Sequence, residues 1–315
     1  MMAEKERKTD SVIGRFAPTP SGRLHLGNLM CAMLAFLSVR RAGGRFLLRI
    51  EDLDAARCPF MGENTLLLMD DLAWLGIEHD GEVLWQSQRT EVYEGYFERL
   101  RQKELLYPCY CTRSELHAAR APHRSDGVPP YDRRCLLRLQ EGIAPPPGRN
   151  PAWRVRVPEE EIGVEDLLQG RYTENLARDS SDFIVRRSDG IYAYQLAVVV
   201  DDGLSGVSEV VRGADLLDST PKQIYLQRLF GFSTPVYRHI PLLVDAEGRR
   251  LSKRDGDGCM EHVRAKYQSP EPVIGALAAA LGLIPQPEPM RLADLIPLFD
   301  WSKIPRDSVA LPEGF

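Results

Sequence analysis

Two polar segments, far apart in the chain, carry residue types suited to phosphate chemistry. Within residues 15–28, His25, Gly27 and Asn28 stand between a predicted strand and a predicted helix, where backbone N–H groups and the helix dipole favour an anion. The second segment carries Lys253 on a short polar loop, where its charge could stabilise a phosphate leaving group. Taken alone, the first segment also fits an ordinary capped helix, and the second also fits a solvated basic loop. Together, in this order, the segments predict an enzyme that activates a carboxylate with ATP.

A cluster of cysteines forms a second candidate site. Cys109, Cys111 and Cys135 fall within one short region. The charged N-terminus is not a signal peptide, so disulfides are not expected and a metal site is favoured. Zinc prefers four ligands, but the usual two-residue gap between cysteines is absent, and three buried thiols in a loop are the alternative. The candidates for a fourth ligand are Tyr131, His117 and His123.

The elements that must position the first site begin with strand, helix and strand. Residues 11–16 and 45–50 have strand patterns, and residues 24–39 between them form a nearly continuous apolar run. Such a unit predicts an α/β fold with a parallel sheet and a right-handed crossover. Ligands bind beyond the carboxyl ends of such strands. The His25 turn and Glu51 both follow strand ends.

The rest of the chain contains further helix and strand patterns. Residues 106–150 carry the cysteines between proline-rich stretches and predict an irregular insertion. Helical patterns cover residues 62–76, 89–105, 222–230 and 270–283. Strand patterns cover residues 153–157, 183–185, 196–200 and 207–211.

Composition excludes some functional classes. The 315 residues are 43% apolar and 27% charged, with a net charge of −5 and a pI near 5.8. This acidic balance argues against a protein that coats nucleic acid by bulk charge, although a local basic face is compatible with it. Without an export signal or an apolar run of about 20 residues, we expect a cytoplasmic protein with no membrane contact. We also expect a monomer.

Five segments, in the same order, resemble the class I aminoacyl-tRNA synthetases of the glutamyl branch. The first segment resembles the first signature of that family, and Arg250-Leu251-Ser252-Lys253-Arg254 resembles the second. The family usually has Lys in the place of Arg250 and often Ser in that of Arg254. Since an arginine keeps the charge but not the geometry of a lysine, catalysis is assigned to Lys253. The other three matching segments are residues 49–54, 194–202 and 211–215.

The resemblance implies a fold and a set of domains. It implies a Rossmann-like parallel sheet with an inserted zinc-containing subdomain and a short helical C-terminal region. The implied boundaries are 11–105 for the first half of the catalytic domain, 106–150 for the insertion, 151–240 for the second half, and 241–315 for the Lys253 loop and the C-terminal region.

The resemblance also implies the site residues. ATP, with Mg²⁺, would bind at His25, Gly27, Asn28 and Lys253, of which His25, Asn28 and Lys253 would be catalytic. One structural Zn²⁺ would bind Cys109, Cys111, Tyr131 and Cys135. A pocket for L-glutamate would consist of Arg15, Phe16, Ala17, Pro18, Thr19, Glu51, Tyr194 and Arg212. In this pocket an arginine suits the γ-carboxylate and Glu51 suits the α-ammonium. Salt bridges at strand ends are the structural alternative.

Few residues follow the Lys253 loop, so we expect no anticodon-binding domain. In this respect the chain resembles the truncated glutamyl relatives that modify tRNA(Asp). The resemblance implies tRNA-independent activation of L-glutamate and its transfer to queuosine, the wobble base in the anticodon loop of tRNA(Asp). Three alternatives are a truncated glutamyl-tRNA or glutaminyl-tRNA synthetase that charges an acceptor end, an enzyme that passes glutamate to a small amine, and a non-catalytic tRNA-binding paralogue.

Overall fold

The structure is a computed structural model that describes residues 11–112, 115, 131–245, 248 and 259–311. Lys253, His117 and His123 therefore lie outside the described residues. Within the described ranges, the strands in chain order are β1 (Ile13–Phe16), β2 (Arg45–Ile50), β3 (Leu84–Trp85), β4 (Leu106–Cys109), β5 (Ala152–Val155), β6 (Glu161–Asp166), β7 (Gly170–Asn175), β8 (Phe183–Arg186), β9 (Glu209–Gly213), β10 (Val236–Ile240), β11 (Leu243–Val244) and β12 (Val309–Ala310).

Helices separate most of these strands. In chain order they are α1 (Leu26–Arg41), α2 (Glu63–Trp74), α3 (Thr90–Gln102), α4 (Arg134–Gln140), α5 (Tyr194–Leu204), α6 (Thr220–Phe230), α7 (Met260–Lys266), α8 (Glu271–Ala280) and α9 (Leu292–Leu295). Short 3-10 turns lie at Gln86–Gln88, Ala214–Ser219, Ile296–Leu298 and Trp301–Lys303, and a π-helical turn lies at Leu176–Ser180. None of the helices in the described part of the chain is both long and apolar enough to span a membrane.

The central sheet is parallel, as the sequence predicts. β1 pairs with β2 in the register Ile13 to Arg45, and β3 continues the sheet beyond β2. On the other side β9 pairs with β10 in parallel, and the N–H of Ser208 donates to Ile13 O over 2.8 Å beside β1. Because parallel strands end at the same edge, the residues that follow β1, β2, β9 and β10 meet there.

Helix α1 is buried along most of its length because its sequence is apolar nearly all round. It packs against β1, β2 and β9. Arg40 and Arg41 lie in its last turn, where positive charge suits the helix dipole. The chain then passes close to β1, since a Cβ at Gly44 would lie 2.1 Å from Val12 O. Only glycine permits this approach, which returns the chain into β2.

Antiparallel strands form the second part of the fold. β5 pairs with β4 on one side and β8 on the other, and β6 and β7 form a hairpin. β11 and β12 form a short parallel pair near the C-terminus. Two large clusters of buried apolar side chains accompany these layers, one around α1 and the C-terminal helices and one around α3, α5 and α6.

The structure corrects one predicted element. Residues 196–200, predicted as a strand from their β-branched apolar run, lie inside helix α5. Every side chain from Leu196 to Val200 is buried. Because the helix is buried on all sides here, the run has no polar positions that would reveal a helical periodicity. A short run of this kind fits a buried strand and a buried helix equally well. The hairpin of β6 and β7 was not predicted, and the insertion at residues 106–150 begins with a regular strand, β4.

Candidate active site

A cavity of about 420 Å³ opens at the carboxyl edge of the parallel sheet. The loops after β1, β2, β9 and β10 contribute to it, together with the first turns of α1 and α5. The cavity brings together every predicted ATP and glutamate residue that the structure describes. These residues are Arg15, Phe16, Ala17, Pro18, Thr19, His25, Gly27, Asn28, Glu51, Tyr194 and Arg212.

The His25 turn is shaped by the start of helix α1. His25 is the N-cap residue, and its backbone N–H donates to Oδ1 of Asn28 over 3.3 Å. A Cβ at Gly27 would lie 3.0 Å from the His25 ring, so glycine gives this ring room over the first turn. The first turn of α1 contains no acidic side chain. The free N–H groups and the dipole of this turn therefore create a positive potential in the cavity, which suits a phosphate.

Two arginines share one carboxylate beneath the cavity. Nε of Arg15 lies 3.3 Å from Oδ1 of Asp202, and Nη1 of Arg49 donates to the same oxygen. Burial would raise the pKa of the Asp202 carboxyl, but Arg49 and Arg15 outweigh it and hold that pKa below its usual range. Nη1 of Arg15 donates to Val211 O over 3.3 Å, and among the described residues its Nη2 has no acceptor. Arg15 therefore retains N–H groups for a ligand.

Glu51 contributes a negative charge to the same cavity. Its side chain is only 10% exposed, and Oε1 lies 3.2 Å from Nη2 of Arg49. Burial raises the pKa of the Glu51 carboxyl, while Arg49 and Arg15 act in the opposite direction without cancelling the effect. A cationic ligand group beside Glu51 would favour its charged form.

Arg212 is held almost entirely by uncharged partners. Its Nε donates to Nε2 of His239 over 2.9 Å, and its Nη1 donates to Oε1 of Gln223 over 2.7 Å. Its Nη2 donates to Oγ1 of Thr220 over 2.8 Å and to Leu216 O over 3.3 Å. None of the described acidic residues forms an ion pair with it, although the residue is only 4% exposed. A buried positive charge of this kind is costly unless an anion joins it.

The ends of the Lys253 loop lie beside the cavity. Before the loop, Leu242 and Leu243 line the cavity wall. After the loop, Met260 N donates to Leu24 O over 3.0 Å, and Cys259 forms an antiparallel bridge with His25. The chain thus enters the loop at the cavity wall and returns next to the His25 turn.

The three cysteines meet on the antiparallel sheet, away from this cavity. Their Sγ atoms lie within 4.8 Å of one another. The Tyr131 hydroxyl lies 3.7 Å from Sγ of Cys109 and accepts the N–H of Cys135 over 3.0 Å. The Arg154 guanidinium lies 3.8 Å from the centre of the Tyr131 ring and covers it. Three thiols and a phenol at this spacing make a donor set that a single zinc ion could use.

Several residues of the site escaped the sequence analysis. Asp202 and Arg49 were named within matching segments but given no role, and His239 was not singled out. Arg49 and Asp202 are 153 residues apart, and His239 and Arg212 are 27 residues apart, so no local sequence pattern links either pair. The rule that ligands lie beyond strand ends could have identified Pro241 to Leu243, which follow β10 and line the cavity.

Comparison with known proteins gives consistent results. Residues 11–289 match the family of class I tRNA synthetases (E and Q), catalytic domain. The chain is 47% identical to "Glutamyl-Q tRNA(Asp) synthetase" of Symbiobacterium thermophilum, over 95% of each protein. It is 44% identical to the protein of the same name from Nocardia farcinica, over 99% of this chain and 97% of that one.

Solved structures show the same fold. The glutamate-tRNA synthetase of Elizabethkingia anophelis superposes with a TM-score of 0.80 at 26% identity, over 96% of this chain and 68% of that one. A glutamate tRNA ligase of Elizabethkingia meningosepticum, solved in complex with its amino acid, gives a TM-score of 0.78 at 25% identity, over 96% of this chain and 67% of that one.

Proposed function

This chain belongs to the class I tRNA synthetases (E and Q), and from that membership we propose a reaction in two steps. In the first, L-glutamate and ATP form glutamyl-adenylate and pyrophosphate without tRNA. In the second, the glutamyl group passes to queuosine in the anticodon loop of tRNA(Asp). The second step is supported by the name shared by relatives that this chain matches over nearly its full length.

One observation carries the choice of glutamate. Arg212 is a buried cation with no acidic partner among the described residues, and it lines the same cavity as Glu51. A ligand with a carboxylate for Arg212 and an ammonium for Glu51 would complete both charges. An amino acid with an acidic side chain fits this description. Glutamine would leave the arginine unpaired, which costs more than an absent contact because the charge is buried.

The same geometry supports roles for the neighbouring residues. The α-carboxylate of glutamate would attack the α-phosphorus of ATP, and pyrophosphate would leave. The first turn of α1, with His25 and Gly27, would hold the phosphates. Asn28 would act by fixing the His25 turn, since its side chain caps the helix. Arg15 would supply N–H groups to a carboxylate, and Tyr194 would wall the pocket.

Lys253 is proposed to stabilise the charge that shifts onto pyrophosphate. Two observations support this role: the chain enters the loop from the cavity wall, and it returns from the loop attached to the His25 turn. In the second step a ring hydroxyl of queuosine would attack the glutamyl carbonyl, forming an ester and releasing AMP.

We also propose that one Zn²⁺, bound by Cys109, Cys111, Tyr131 and Cys135, stabilises the insertion. A closed set of four ligands leaves no position for a reactive water, so the zinc would have a structural role. The domain boundaries after residues 105, 150 and 240 are part of the same proposal. Strand β4 would then tie the insertion to the second half of the catalytic domain through β5.

Glutamate-dependent exchange of pyrophosphate into ATP, measured without tRNA, tests the first step. We expect exchange with glutamate and little with glutamine or aspartate. The second step is tested by transfer of labelled glutamate to tRNA(Asp) with and without queuosine, with tRNA(Glu) as the control. Exchange that requires tRNA, or charging of the tRNA(Glu) acceptor end, would favour a truncated glutamyl-tRNA synthetase. Transfer to a small amine without tRNA would favour the amine alternative, and no exchange at all would favour a binding paralogue.

A further inference from the structure

We propose that Asp166 and His239 are positioning residues that hold the Arg212 guanidinium in place while leaving its positive charge available to the substrate carboxylate. This inference rests on the proposed function and extends it to residues outside the cavity wall. It would make glutamate recognition depend on a buried carboxylate and imidazole that never touch the substrate.

Asp166 is fixed by several donors at the end of β6. Its Oδ1 accepts the N–H of Leu168 over 3.0 Å and that of Gln169 over 2.7 Å. Its Oδ2 accepts the backbone N–H of His239 over 3.0 Å and lies 2.6 Å from Nδ1 of the same residue. The carboxylate therefore holds both the backbone and the ring of His239.

The contacts of His239 define its tautomer. A carboxylate beside Nδ1 requires a proton on that nitrogen, and the Nε–H of Arg212 requires a lone pair on Nε2. The ring is therefore neutral, with its proton on Nδ1. Burial lowers the pKa of His239; Asp166 opposes this effect and Arg212 adds to it. The ring is fully buried and lies parallel to the Tyr237 ring at 5.9 Å, so it has little room to turn.

A neutral link suits this position for an electrostatic reason. Arg15 and Arg49 are held directly by Asp202, which neutralises part of their charge. A carboxylate placed directly on Arg212 would do the same and would compete with the substrate. The imidazole transmits the orientation set by Asp166 but carries no charge itself. Thr220 and Gln223, also uncharged, complete the support of the guanidinium.

Two substitutions of His239 separate its two contacts. His239→Asn keeps an amide group near the Nδ1 position, facing Asp166, but cannot reach Arg212. His239→Gln is long enough to present a carbonyl oxygen to Nε of Arg212 but gives up the Nδ1 donor. In pyrophosphate exchange, we expect His239→Asn to raise the KM for glutamate by about tenfold to a hundredfold, as expected for a lost buried hydrogen bond to a charged group. His239→Gln should recover part of this loss. The KM for ATP should stay within about twofold in both.

Tyr237→Phe is the matched control on the same strand. It removes a buried hydrogen bond from Gln227, 2.9 Å long, but keeps the ring beside His239. A general loss of packing or stability would raise the glutamate KM in this variant as well, whereas a positioning role predicts no change. Thr220→Val removes another support of Arg212 at nearly constant volume. It should raise the glutamate KM and lower the preference for glutamate over glutamine, as His239→Asn does.

The outcomes distinguish this inference from the proposed function. If the parent protein shows no glutamate-dependent exchange, the proposed function fails. If the parent is active but His239→Asn keeps the glutamate KM and the glutamate preference within twofold, only the positioning role fails. Should His239→Asn not fold, equal glutamate KM values in the parent, His239→Gln and Thr220→Val would overturn the inference by themselves.

Discussion

The three buried arginines at the site differ in whether an acidic side chain pairs with them. Arg15 and Arg49 share the Asp202 carboxylate, whereas Arg212 has only uncharged partners among the described residues. Glu51 is the acid beside Arg49 that also faces the cavity. The lining of the ligand-free site thus presents the Arg212 guanidinium and the Glu51 carboxylate at different points, together with Arg15 and Asp215. A zwitterionic ligand with an extra carboxylate would pair with both Arg212 and Glu51.

The charge of Glu51 should be costly in the ligand-free protein. Burial raises the pKa of this carboxyl above its ordinary value of 4.5 in the folded state. The folded protein therefore binds the proton more tightly than the unfolded chain does, and ionisation of Glu51 lowers stability as pH rises. Glu51→Gln should raise the Tm of the ligand-free protein at about pH 7.5. The gain should shrink as pH falls through the folded-state pKa, and it should vanish below the ordinary value, where Glu51 is neutral in both states.

The same variant should bind glutamate more weakly. Loss of the acceptor for the α-ammonium should raise the glutamate KM by about tenfold or more. Thermal unfolding across pH and pyrophosphate exchange measure the two effects. Glu78→Gln, at an exposed position outside the cavity lining, is the control and should change neither. A Glu51→Gln protein that is less stable than the parent at about pH 7.5 would contradict the electrostatic account.

At the scale of elements, the cysteine cluster joins a strand to a helix. Cys109 ends β4, which is paired with β5, and Cys135 lies in the first turn of α4. Arg154 of β5 covers the Tyr131 ring from the sheet side. Beyond these contacts, the described residues of the insertion contribute little to either large core. Arg133, at the start of α4, pairs with the buried Asp182 and donates to Val157 O, each over 2.9 Å. A metal would therefore add to an attachment that polar contacts already make.

Cys135→Ser should remove zinc and loosen the insertion. Metal analysis should give about one zinc per chain in the parent and much less in the variant. Limited proteolysis should cut the variant faster within residues 106–150. Adenylate formation should survive in part, because no proposed ATP or glutamate residue lies in the insertion.

Cys58→Ser controls for the general cost of placing a hydroxyl at a buried thiol, since Cys58 is buried outside the cluster. It should keep its zinc. Parent protein purified without chelator but free of zinc would rule out the site. Full zinc in Tyr131→Phe would instead exclude only the tyrosine as a ligand.

Elements with strong local signals were predictable from the sequence. The unit of β1, α1 and β2 is found within two residues of its predicted bounds, because proline, glycine and a long apolar run mark its ends. The pocket residues of the matching segments also meet in one cavity. Residues 196–200 of helix α5 were wrongly predicted as a strand, because their side chains are all buried and show no helical periodicity. The pair of Asp166 and His239 was out of reach because it depends on contacts across 73 residues.

At the scale of the whole molecule, the proposed reaction would combine the His25 turn with Lys253, which lies far along the chain. Lys253→Ala should lower the rate of adenylate formation by a factor of about 10²–10³, as for loss of one preorganised charge contact. The KM values for glutamate and ATP should change less, because the contact strengthens mainly in the transition state. Pyrophosphate exchange at saturating substrate measures the effect.

Arg254→Ser is the matched control within the same loop, since it removes a neighbouring positive charge. We expect it to keep most of the exchange rate. Equal losses in both variants would indicate that the loop acts through its total charge. Exchange in Lys253→Ala within twofold of the parent would show that this lysine has no part in the chemistry.

The attachment of this loop to the His25 turn is made by peptide groups. Met260 N and Leu24 O form the hydrogen bond, and Cys259 bridges His25 through the backbone. Such a tie imposes almost no requirement on side-chain type, apart from the exclusion of proline at position 260, where the N–H is the donor. Substitutions at Cys259 and Met260 would therefore be constrained by packing alone. The placement of residues 259 and 260 beside the His25 turn is set by backbone contacts, and it can persist while the side chains at these two positions change.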